Sequence, residues 1–312
     1  MRRAVLLVAV VFACHLALDA AQTATGASGD QWLARPVDDQ TFKTYLDFFA
    51  YDRKLPLETK VAKVDEEQGL RKERLAFQST PGVRVTAMFR QAPVPAGTKP
   101  PALILLHGGG GPGKDATGPA RFAELLSRAG WSVLSLDLQY FGERSTLLLT
   151  TFSEQEKHDK LYNQPAMYLA WITQSVKDIS RAIDFLVEQR GVDPRRIGIV
   201  GFSRGAIVES IAAGVDRRLS PVLMVYGGHF DALDNNHLAA ACPANFIGRI
   251  APRPLLMING TQDSDMIKDR AVEPLFKLAK QPKQIIWTDG GHMFMTEEHR
   301  AALIQWLREH QK

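Results

Sequence analysis

The sequence predicts an α/β fold with a mostly parallel central sheet and helices on both of its faces. Continuous apolar runs alternate along the chain with helical patterns, and this alternation is typical of a parallel sheet covered by helices. The chain of 312 residues, 45% of them hydrophobic, is long enough to bury one large core. The predicted strands are Ala102–Leu106, Ser132–Leu136, Ile197–Val200, Val222–Val225, Leu255–Ile258 and Gln284–Trp287, and the predicted helices among them are Ala120–Ala129, Val176–Gln189 and Lys268–Ala279.

A hairpin and a terminal helix flank this alternation. Residues 74–91 hold two short strand-like runs around Thr80-Pro81-Gly82, as in an antiparallel hairpin at the edge of a sheet. At the opposite end, residues 296–310 follow the last strand with a helical pattern. In the helix before the third strand, Asp178, Arg181 and their polar neighbours are expected to form the solvated face.

The first 21 residues have the pattern of a signal peptide. Arg2-Arg3 precede an apolar run at residues 4–13 that is too short to span a membrane comfortably, and small residues follow at Ala20-Ala21. We therefore expect cleavage near this pair and a secreted or periplasmic protein without stable membrane insertion. Lipidation is disfavoured, because Phe12 is out of pattern in the stretch before Cys14.

The rest of the chain divides into an extension and one larger domain. Residues 22–69 are too polar and irregular for an independent domain, but they carry aromatic side chains that are expected to dock on the main body. Residues 70–312 form the predicted α/β domain. Within it, residues 145–171 match no standard element, which predicts an insertion that could cap a pocket.

Charge and composition do not indicate a nucleic-acid partner. The net charge of +4 is modest, and the basic residues are dispersed rather than clustered beside aromatic side chains. The oligomeric state stays open. The basic residues expected to be solvated loop charges are Arg190, Arg195, Arg196, Arg217 and Arg218.

No metal site and no organic cofactor are expected. Zinc sites built from histidine and cysteine usually have ligands at recognisable short spacings. His107, His229, His237 and Cys242 show no such spacing. Removal of the signal peptide would leave Cys242 as the remaining cysteine, so an intramolecular disulfide is excluded.

A serine between two glycines lies where an apolar strand gives way to a helix-like stretch. The pentapeptide Gly201-Phe202-Ser203-Arg204-Gly205 follows the strand Ile197–Val200 and precedes residues 206–213. A serine hydroxyl attacks a carbonyl only when geometry and a base assist it, and a sharp strand-to-helix turn supplies the geometry. Ser203 is therefore the candidate nucleophile, and the alternative is an ordinary turn whose serine caps the helix.

An acid follows the next-to-last predicted strand. Asp263 comes soon after Leu255–Ile258, in the sequence Gly260-Thr261-Gln262-Asp263, and it is the candidate that orients a catalytic base. Asp265 is its competitor, and Asp269 is more distant. The alternative for Asp263 is a solvated loop aspartate.

A histidine lies on the loop after the last predicted strand. His292 follows the strand Gln284–Trp287 and the sequence Asp289-Gly290-Gly291. Because the pKa of imidazole is near neutral, His292 can accept the Ser203 proton and later return it to a leaving group. Asp263 would fix the tautomer of His292 and stabilise its protonated form.

A run of glycines follows the first predicted parallel strand, in the sequence His107-Gly108-Gly109-Gly110-Gly111. Glycines let backbone N–H groups approach the negatively charged oxygen of a tetrahedral intermediate and stabilise it. We expect this oxyanion hole to use the N–H of Arg204 and one N–H from Gly109 or Gly110. The Arg204 side chain could also pair with a carboxylate of the substrate, or with an acid of the protein itself.

The same run nearly matches a phosphate-binding loop. Residues 108–114 read G-x-x-x-x-G-K. Asp115, however, occupies the position of the hydroxyl residue that would bind Mg²⁺, and Pro112 removes a backbone donor. A nucleotide site is therefore disfavoured.

Together the glycine run, the serine pentapeptide, Asp263 and His292 resemble the α/β-hydrolase superfamily over about residues 70–312. The order Ser203, Asp263, His292 is the α/β-hydrolase order, distinct from those of chymotrypsin and subtilisin. Within the superfamily the chain is most similar to secreted serine esterases of the dienelactone-hydrolase and acetyl-xylan-esterase type. True dienelactone hydrolases use a cysteine nucleophile, so the serine favours ester hydrolysis. The loop at Asp137 is also similar to a hydrolase loop, and Asp137 is expected to brace the site.

This resemblance implies a serine hydrolase that cleaves small-molecule or carbohydrate-linked carboxylic esters through an acyl-enzyme, without metal or cofactor. The alternatives are a prolyl-oligopeptidase-like peptidase, a thioesterase or lactonase, and a non-catalytic binding protein. Such peptidases usually carry an N-terminal propeller, for which this sequence has no room. A binding protein would have no reason to keep all three candidate residues.

Overall fold

A mixed sheet runs through the protein. The computed structural model describes residues 31–145, 152–230 and 233–311, so the predicted signal peptide lies outside the described residues. The strands are β1 (Lys60–Glu67), β2 (Leu70–Thr80), β3 (Val83–Gln91), β4 (Ala102–Leu106), β5 (Ser132–Leu136), β6 (Ile197–Phe202), β7 (Leu219–Val225), β8 (Leu255–Gly260) and β9 (Lys283–Thr288). They form a nine-stranded sheet in the order β1-β2-β3-β5-β4-β6-β7-β8-β9. The first three pairings in this order are antiparallel and the others parallel, which confirms the predicted fold class.

Helices cover both faces of this sheet. They are α1 (Gln31–Ala34), α2 (Asp39–Tyr45), α3 (Thr117–Arg128), α4 (Glu154–Lys157), α5 (Pro165–Arg190), α6 (Arg204–Val215), α7 (Glu273–Leu278) and α8 (Glu297–His310). The core residues of α5 and α6 belong to one hydrophobic layer, and those of α3 and α8 to the other. The predicted helix at 268–279 is a π-helical turn, Lys268–Val272, followed by α7. Among the described residues, no helix combines the length and the apolar character needed to cross a membrane.

The central strands bury both of their faces. In β4, Ala102, Ile104 and Leu106 pack in the layer of α5 and α6, whereas Leu103 and Leu105 pack in the layer of α3 and α8. All of these side chains are buried, because successive side chains of a strand point to opposite faces and helices cover both. The continuous apolar runs in the sequence follow from this arrangement.

The parallel strands place the candidate motifs at one edge of the sheet. The carboxyl ends of parallel strands meet at the same edge, where α/β proteins usually bind their ligands. The glycine run follows β4, Ser203 follows β6, Asp263 follows β8 and His292 follows β9. Residues that are far apart in the chain therefore converge.

The sheet begins before the predicted domain boundary at residue 70. β1 lies within the segment 22–69, and it pairs antiparallel with β2. Every residue of β1 is exposed, so no buried pattern marks the strand in the sequence. The Phe246 ring packs edge-on against Phe42 and Phe49, with ring centroids 5.5 and 5.7 Å apart, and so holds this segment on the main body.

The predicted insertion at residues 145–171 is largely helical where it is described. Ser153 caps α4 through a capping box with Glu156, and a π-helical turn, His158–Tyr162, follows. Pro165 then opens α5, where its fixed φ angle suits the first turn of a helix. Residues 165–171 thus belong to α5 and not to the insertion.

Two residues that were predicted to be solvated are buried instead. Asp178 is 2% exposed and accepts a hydrogen bond from Arg144 at 2.7 Å. Arg181 is fully buried, pairs with Asp184 at 3.0 Å and donates to the Leu55 carbonyl at 2.6 Å. Because the partners of Arg181 include a carbonyl of the N-terminal segment, the helical pattern alone could not reveal its burial.

Three of the arginines predicted as solvated loop charges are partly buried and have protein partners. Arg196 pairs with Asp193 at 3.1 Å. Arg190 pairs with Glu73 at 2.5 Å, and its guanidinium lies 4.6 Å from the centroid of the Phe185 ring. Arg218 pairs with Asp184 at 2.7 Å. The prediction does hold for Arg195, whose side chain is 87% exposed.

Candidate active site

Ser203 occupies a strained turn between β6 and α6. Its φ of 51° and ψ of −116° lie in a region that residues other than glycine rarely adopt. Its backbone N–H donates to the Val225 carbonyl at 2.8 Å, which ties the turn to β7. A Cβ atom at Gly205 would collide with the backbone oxygen of His107. Glycine at this position therefore lets α6 begin close against the loop after β4.

His292 connects Ser203 to Asp263. Its Nε2 lies 2.8 Å from the Ser203 Oγ, and its Nδ1 lies 2.7 Å from the Asp263 Oδ2. When Nδ1–H donates to the carboxylate, Nε2 is left as the acceptor for the hydroxyl proton. The three residues singled out in the sequence thus form one hydrogen-bonded chain, although 89 and 29 positions separate the paired residues.

The two candidate acids occupy different positions around His292. The Asp263 side chain is fully buried, and its Oδ1 accepts backbone N–H bonds from Asp265 and Met266, each at 2.9 Å. These bonds hold the other oxygen towards His292. Asp265 instead has its carboxylate 3.9 Å from the Nε2 and is 49% exposed. Asp263 is therefore the acid with the geometry to orient the imidazole.

The glycine run lines a cavity beside the nucleophile. Gly108, Gly109, Gly110, Ser203 and Arg204 border this space of about 310 Å³. A Cβ atom at Gly108 would lie only 3.3 Å from the Ser203 Cβ, so the glycine backbone approaches the serine closely. The structure thus brings the residues predicted to form the oxyanion hole next to the candidate nucleophile.

His107 supports the glycine run from within the fold. Its ring is fully buried, and Nδ1 lies 2.6 Å from the Gly108 carbonyl oxygen, while Nε2 lies 3.1 Å from the Leu138 nitrogen. The N–H of Leu138 can only donate, so Nε2 accepts and Nδ1–H donates. Burial lowers the pKa of His107, against the opposing effect of the Gly108 bond. A neutral ring in one tautomer therefore holds the loop.

α4 and the π-helical turn that follows it pack against the glycine run. Lys157 is largely buried, and its ammonium donates to the Gly109 carbonyl at 3.2 Å. A Cβ atom at Gly109 would lie 3.6 Å from the Tyr162 hydroxyl. The ring of Tyr162 in turn lies under the Arg204 guanidinium, 3.9 Å from its centroid. The glycine run is thus in contact with His107 as well as with Lys157 and Tyr162.

Arg204 uses its side chain within the protein. The guanidinium is 3% exposed and donates to Asp234 at 2.6 Å, and the other oxygen of Asp234 lies 2.9 Å from His158 Nδ1. Although burial opposes both charges, Arg204 lowers the pKa of Asp234 and Asp234 raises the pKa of Arg204. Of the two alternatives for this guanidinium, the structure favours pairing with an acid of the protein over pairing with a substrate carboxylate.

The loop after β5 is braced by Asp137. This carboxylate is fully buried and accepts hydrogen bonds from Thr86 Oγ1 at 2.7 Å, from the Lys114 N–H at 2.8 Å and from Lys114 Nζ at 2.9 Å. Lys114 also pairs with Asp115 at 3.1 Å. Its ammonium points into this carboxylate cluster, which does not fit the alternative of a phosphate-binding loop.

The sequence held no specific signal for Lys157 or Asp234. Their contacts are long-range, since 48 positions separate Lys157 from Gly109 and 30 separate Asp234 from Arg204. Neither residue belongs to a pattern that places it near the glycine run or the serine turn. The available hint for Lys157 was the insertion itself, which interrupts the regular alternation.

The structure also differs from the expectation that no histidine and cysteine side chains cluster. One ring nitrogen each of His229 and His237 and the Sγ of Cys242 lie within 4.8 Å of one another. His107 is not part of this cluster. The three residues all lie on the connection between β7 and β8, away from the hydrogen-bonded chain of Ser203.

Comparison with known proteins identifies the family. Residues 91–309 match the model of the dienelactone hydrolase family. The chain belongs to this family. In this member of the family, Ser203 is the candidate nucleophile. No curated protein matches this chain in sequence.

Solved structures share the fold of this dienelactone hydrolase family member. The acetyl xylan esterase from Paenibacillus sp. R4 has a TM-score of 0.67 at 16% identity, covering 90% of this chain and 99% of that chain. Acetyl xylan esterase 1 from Thermoanaerobacterium sp. JW/SL YS485 has a TM-score of 0.65 at 16% identity, covering 88% and 94%. A cold-adapted esterase from an Arctic intertidal metagenomic library has a TM-score of 0.61 at 19% identity, covering 80% and 98%. These likenesses confirm the α/β-hydrolase fold.

Proposed function

We propose that this protein hydrolyses carboxylic esters through an acyl-enzyme. Ser203 is the nucleophile, His292 is the general base and then the general acid, and Asp263 orients His292. The observation that carries the proposal is the continuous hydrogen-bonded chain from the Ser203 Oγ through His292 to Asp263. A hydroxyl, an imidazole and a buried carboxylate in this order form the set that activates a serine nucleophile.

In the first half-reaction, the Ser203 Oγ forms a bond with the ester carbonyl carbon while His292 Nε2 accepts the hydroxyl proton. The former carbonyl oxygen becomes negative, and the N–H groups of Arg204 and of Gly109 or Gly110 stabilise it, each by about 3 kcal/mol. The carbon–oxygen bond to the alcohol then breaks. The alcohol leaves with the proton from His292, and the acyl group remains on Ser203.

In the second half-reaction, water repeats the same steps. His292 accepts a proton from the water molecule, whose oxygen bonds to the acyl carbon. The tetrahedral intermediate then breaks its bond to the Ser203 Oγ, which takes back the proton from His292. The products are a carboxylic acid and the free enzyme, so neither a metal nor an organic cofactor enters the reaction.

The cavity beside Ser203 favours small, uncharged substrates. Its volume of about 310 Å³ is at the lower end for small-molecule sites. Asp265, whose side chain is 49% exposed, also borders the cavity, so its carboxylate would disfavour an anionic ester. Two structural neighbours are named acetyl xylan esterases. We therefore propose short acyl esters, acetylated carbohydrates among them, as substrates.

The deciding experiment measures hydrolysis of p-nitrophenyl acetate, butyrate and octanoate by the wild type and by Ser203→Ala. We expect activity that falls with acyl length, and a loss of about 10⁵-fold or more in kcat for Ser203→Ala. A fluorophosphonate probe should label the wild type and not the variant. A folded Ser203→Ala protein that keeps its activity would exclude the proposed nucleophile. Absence of both labelling and turnover in the wild type would favour a binding protein.

We also propose that the chain is exported. The support is the arrangement of Arg2-Arg3, the apolar run at 4–13 and the small pair Ala20-Ala21. Expression in a Gram-negative host followed by N-terminal sequencing should find the chain in the periplasm, starting near residue 21 or 22. Recovery of uncleaved chain from the cytoplasm would contradict this proposal.

A further inference from the structure

The connection between β7 and β8 brings two imidazoles and a thiol together. His229 Nε2 lies 3.3 Å from the Cys242 Sγ, and a ring nitrogen of His237 lies within 4.8 Å of both ligand atoms. His229 is 5% exposed and Cys242 is fully buried, whereas His237 is partly exposed. The cluster therefore has two donors inside the protein and one on the side towards solvent.

One of these distances is close to that between neighbouring ligand atoms of a tetrahedral zinc site. Zinc–sulfur bonds of about 2.3 Å and zinc–nitrogen bonds of about 2.0 Å place neighbouring ligand atoms about 3.3–3.6 Å apart. The separation of 3.3 Å between His229 and Cys242 already meets this requirement. To complete the set, the ring nitrogen of His237 would have to move closer to the other two donor atoms.

We infer that His229, His237 and Cys242 form a binding site for one Zn²⁺ ion, separate from the centre at Ser203. One thiolate and two imidazoles are a donor set that binds Zn²⁺ in preference to Mg²⁺ or Ca²⁺, because those two ions favour oxygen ligands. With three protein ligands, the fourth position of the tetrahedron would hold water. The site requires no residue of the hydrogen-bonded chain at Ser203.

Zinc at this site would stabilise one wall of the cavity. The same connection carries Asp234, which pairs with Arg204, and Phe230, whose ring packs edge-on against Tyr168 at 6.0 Å. Binding to the native state alone favours folding. At a free zinc concentration of about 100 times Kd, the ratio of folded to unfolded protein rises about 100-fold.

Cobalt spectroscopy tests the thiolate ligand directly. The untagged full-length chain, stripped with a chelator, is titrated with Co²⁺, whose bond to a thiolate absorbs in the near ultraviolet. We expect this band to saturate at one equivalent and to be displaced by Zn²⁺. It should be lost in Cys242→Ser and retained in Cys14→Ser, the matched control at the other cysteine.

Zinc content and thermal unfolding test the imidazoles. After dialysis against Zn²⁺, the wild type should retain one equivalent and show a higher Tm than the stripped protein. His237→Ala should lose both effects, and His310→Ala, at the distant end of α8, should keep them. Binding of one Zn²⁺ should also release about one proton from unbuffered protein.

Several results would overturn the site. A cobalt band that survives in Cys242→Ser would place the ion elsewhere. The same conclusion follows if His237→Ala and His310→Ala retain equal amounts of zinc. Wild-type protein that binds less than a tenth of an equivalent after dialysis would exclude a specific site altogether. The Tm of each stripped variant shows whether it is folded, so a folding defect cannot imitate a lost ligand.

Discussion

Asp263 and Asp265 lie two positions apart on one loop, but only one of them is held in place. Two backbone N–H groups fix the Asp263 carboxylate in a buried position, with its second oxygen on His292 Nδ1. The Asp265 carboxylate is half exposed on the Nε2 side of the ring. The sequence motif therefore places the candidate acid on this loop, and the backbone hydrogen bonds favour Asp263 over Asp265.

The two acids should respond differently to removal of their charge. We expect Asp263→Asn to lower kcat by about 10⁴-fold, because an amide favours the wrong imidazole tautomer and no longer stabilises the imidazolium. Asp265→Asn should change kcat less than about tenfold, since that side chain is solvated. Steady-state kinetics on p-nitrophenyl acetate measure both, and equal losses would mean that Asp265 is part of the catalytic chain.

Glu209 is a buried acid beneath the serine turn. It lies on α6, is fully buried and accepts the Leu223 N–H at 3.0 Å. A Cβ atom at Gly201 would lie 2.5 Å from its other oxygen, so this carboxyl packs directly against β6. Burial raises the pKa of Glu209 well above its ordinary value. The side chain therefore keeps its proton in the folded protein at a pH where it loses it in the unfolded chain.

This difference in pKa predicts how stability changes with pH. Between the unfolded pKa, near 4.5, and the higher folded pKa, the folded state binds more protons, so Glu209 makes stability fall as pH rises. Glu209→Gln keeps the acceptor for Leu223 and removes the titration. We expect the free energy of unfolding to decline less between pH 5 and 8 in this variant than in the wild type. If urea denaturation shows the same change in the free energy of unfolding over that pH range in both proteins, the assignment of the effect to Glu209 is contradicted.

Within the insertion, the described elements α4 and the turn after it approach the glycine run. Lys157, the last residue of α4, donates to the Gly109 carbonyl. The C=O and the following N–H of a trans peptide point in opposite directions. Fixing the Gly109 carbonyl therefore also fixes the Gly110 N–H, one of the candidate donors to the oxyanion.

Loss of this contact should affect turnover more than binding. We expect Lys157→Met to lower kcat by about 10- to 100-fold with little change in KM, because a misaligned N–H weakens stabilisation of the transition state. Lys160→Met is the matched control, since Lys160 lies on the following turn and pairs with Glu156 at 2.8 Å, away from the loop. If both variants lose the same activity, general disturbance of the segment explains the result.

The elements that the sequence predicted well are those with continuous burial. Strands β4 to β8 bury nearly every residue, so their apolar runs mark them within a few residues. β1 was missed because all of its residues are exposed. The start of α5 was missed because Tyr168 and Trp171 pack beside other aromatic rings, and an aromatic cluster has no helical period of its own.

At the scale of the whole molecule, buried charges join the N-terminal segment to the main body. Arg181 donates to carbonyls of Arg53 and Leu55, and Asp184 accepts from Tyr51 at 3.2 Å. These contacts link residues more than a hundred positions apart. Sequence patterns describe neighbours along the chain, so they could place the predicted site motifs but not these partners.

Removal of Arg181 should destabilise the entire fold. In Arg181→Met, Asp184 loses its buried partner, and we expect the free energy of unfolding to fall by about 3–5 kcal/mol. Arg195→Met, at a solvated arginine, should change it by less than about 0.5 kcal/mol. Urea denaturation compares the two variants. A loss below 1 kcal/mol for Arg181→Met would show that the remaining partners, Arg218 and Tyr51 among them, satisfy Asp184.

The position of β9 predicts which part of the sheet opens first on heating. β9 is the last strand of the sheet, most of its residues are only partly buried, and it leads into the loop of His292. Partial opening usually starts at such weakly packed edges, while central strands exchange their amide hydrogens only on global unfolding. We expect amide hydrogen exchange to be faster in β9 than in β4 and β6. On heating, esterase activity should disappear at a lower temperature than the one at which the core unfolds. Simultaneous loss of both would instead mean that the edge and the centre unfold as one unit.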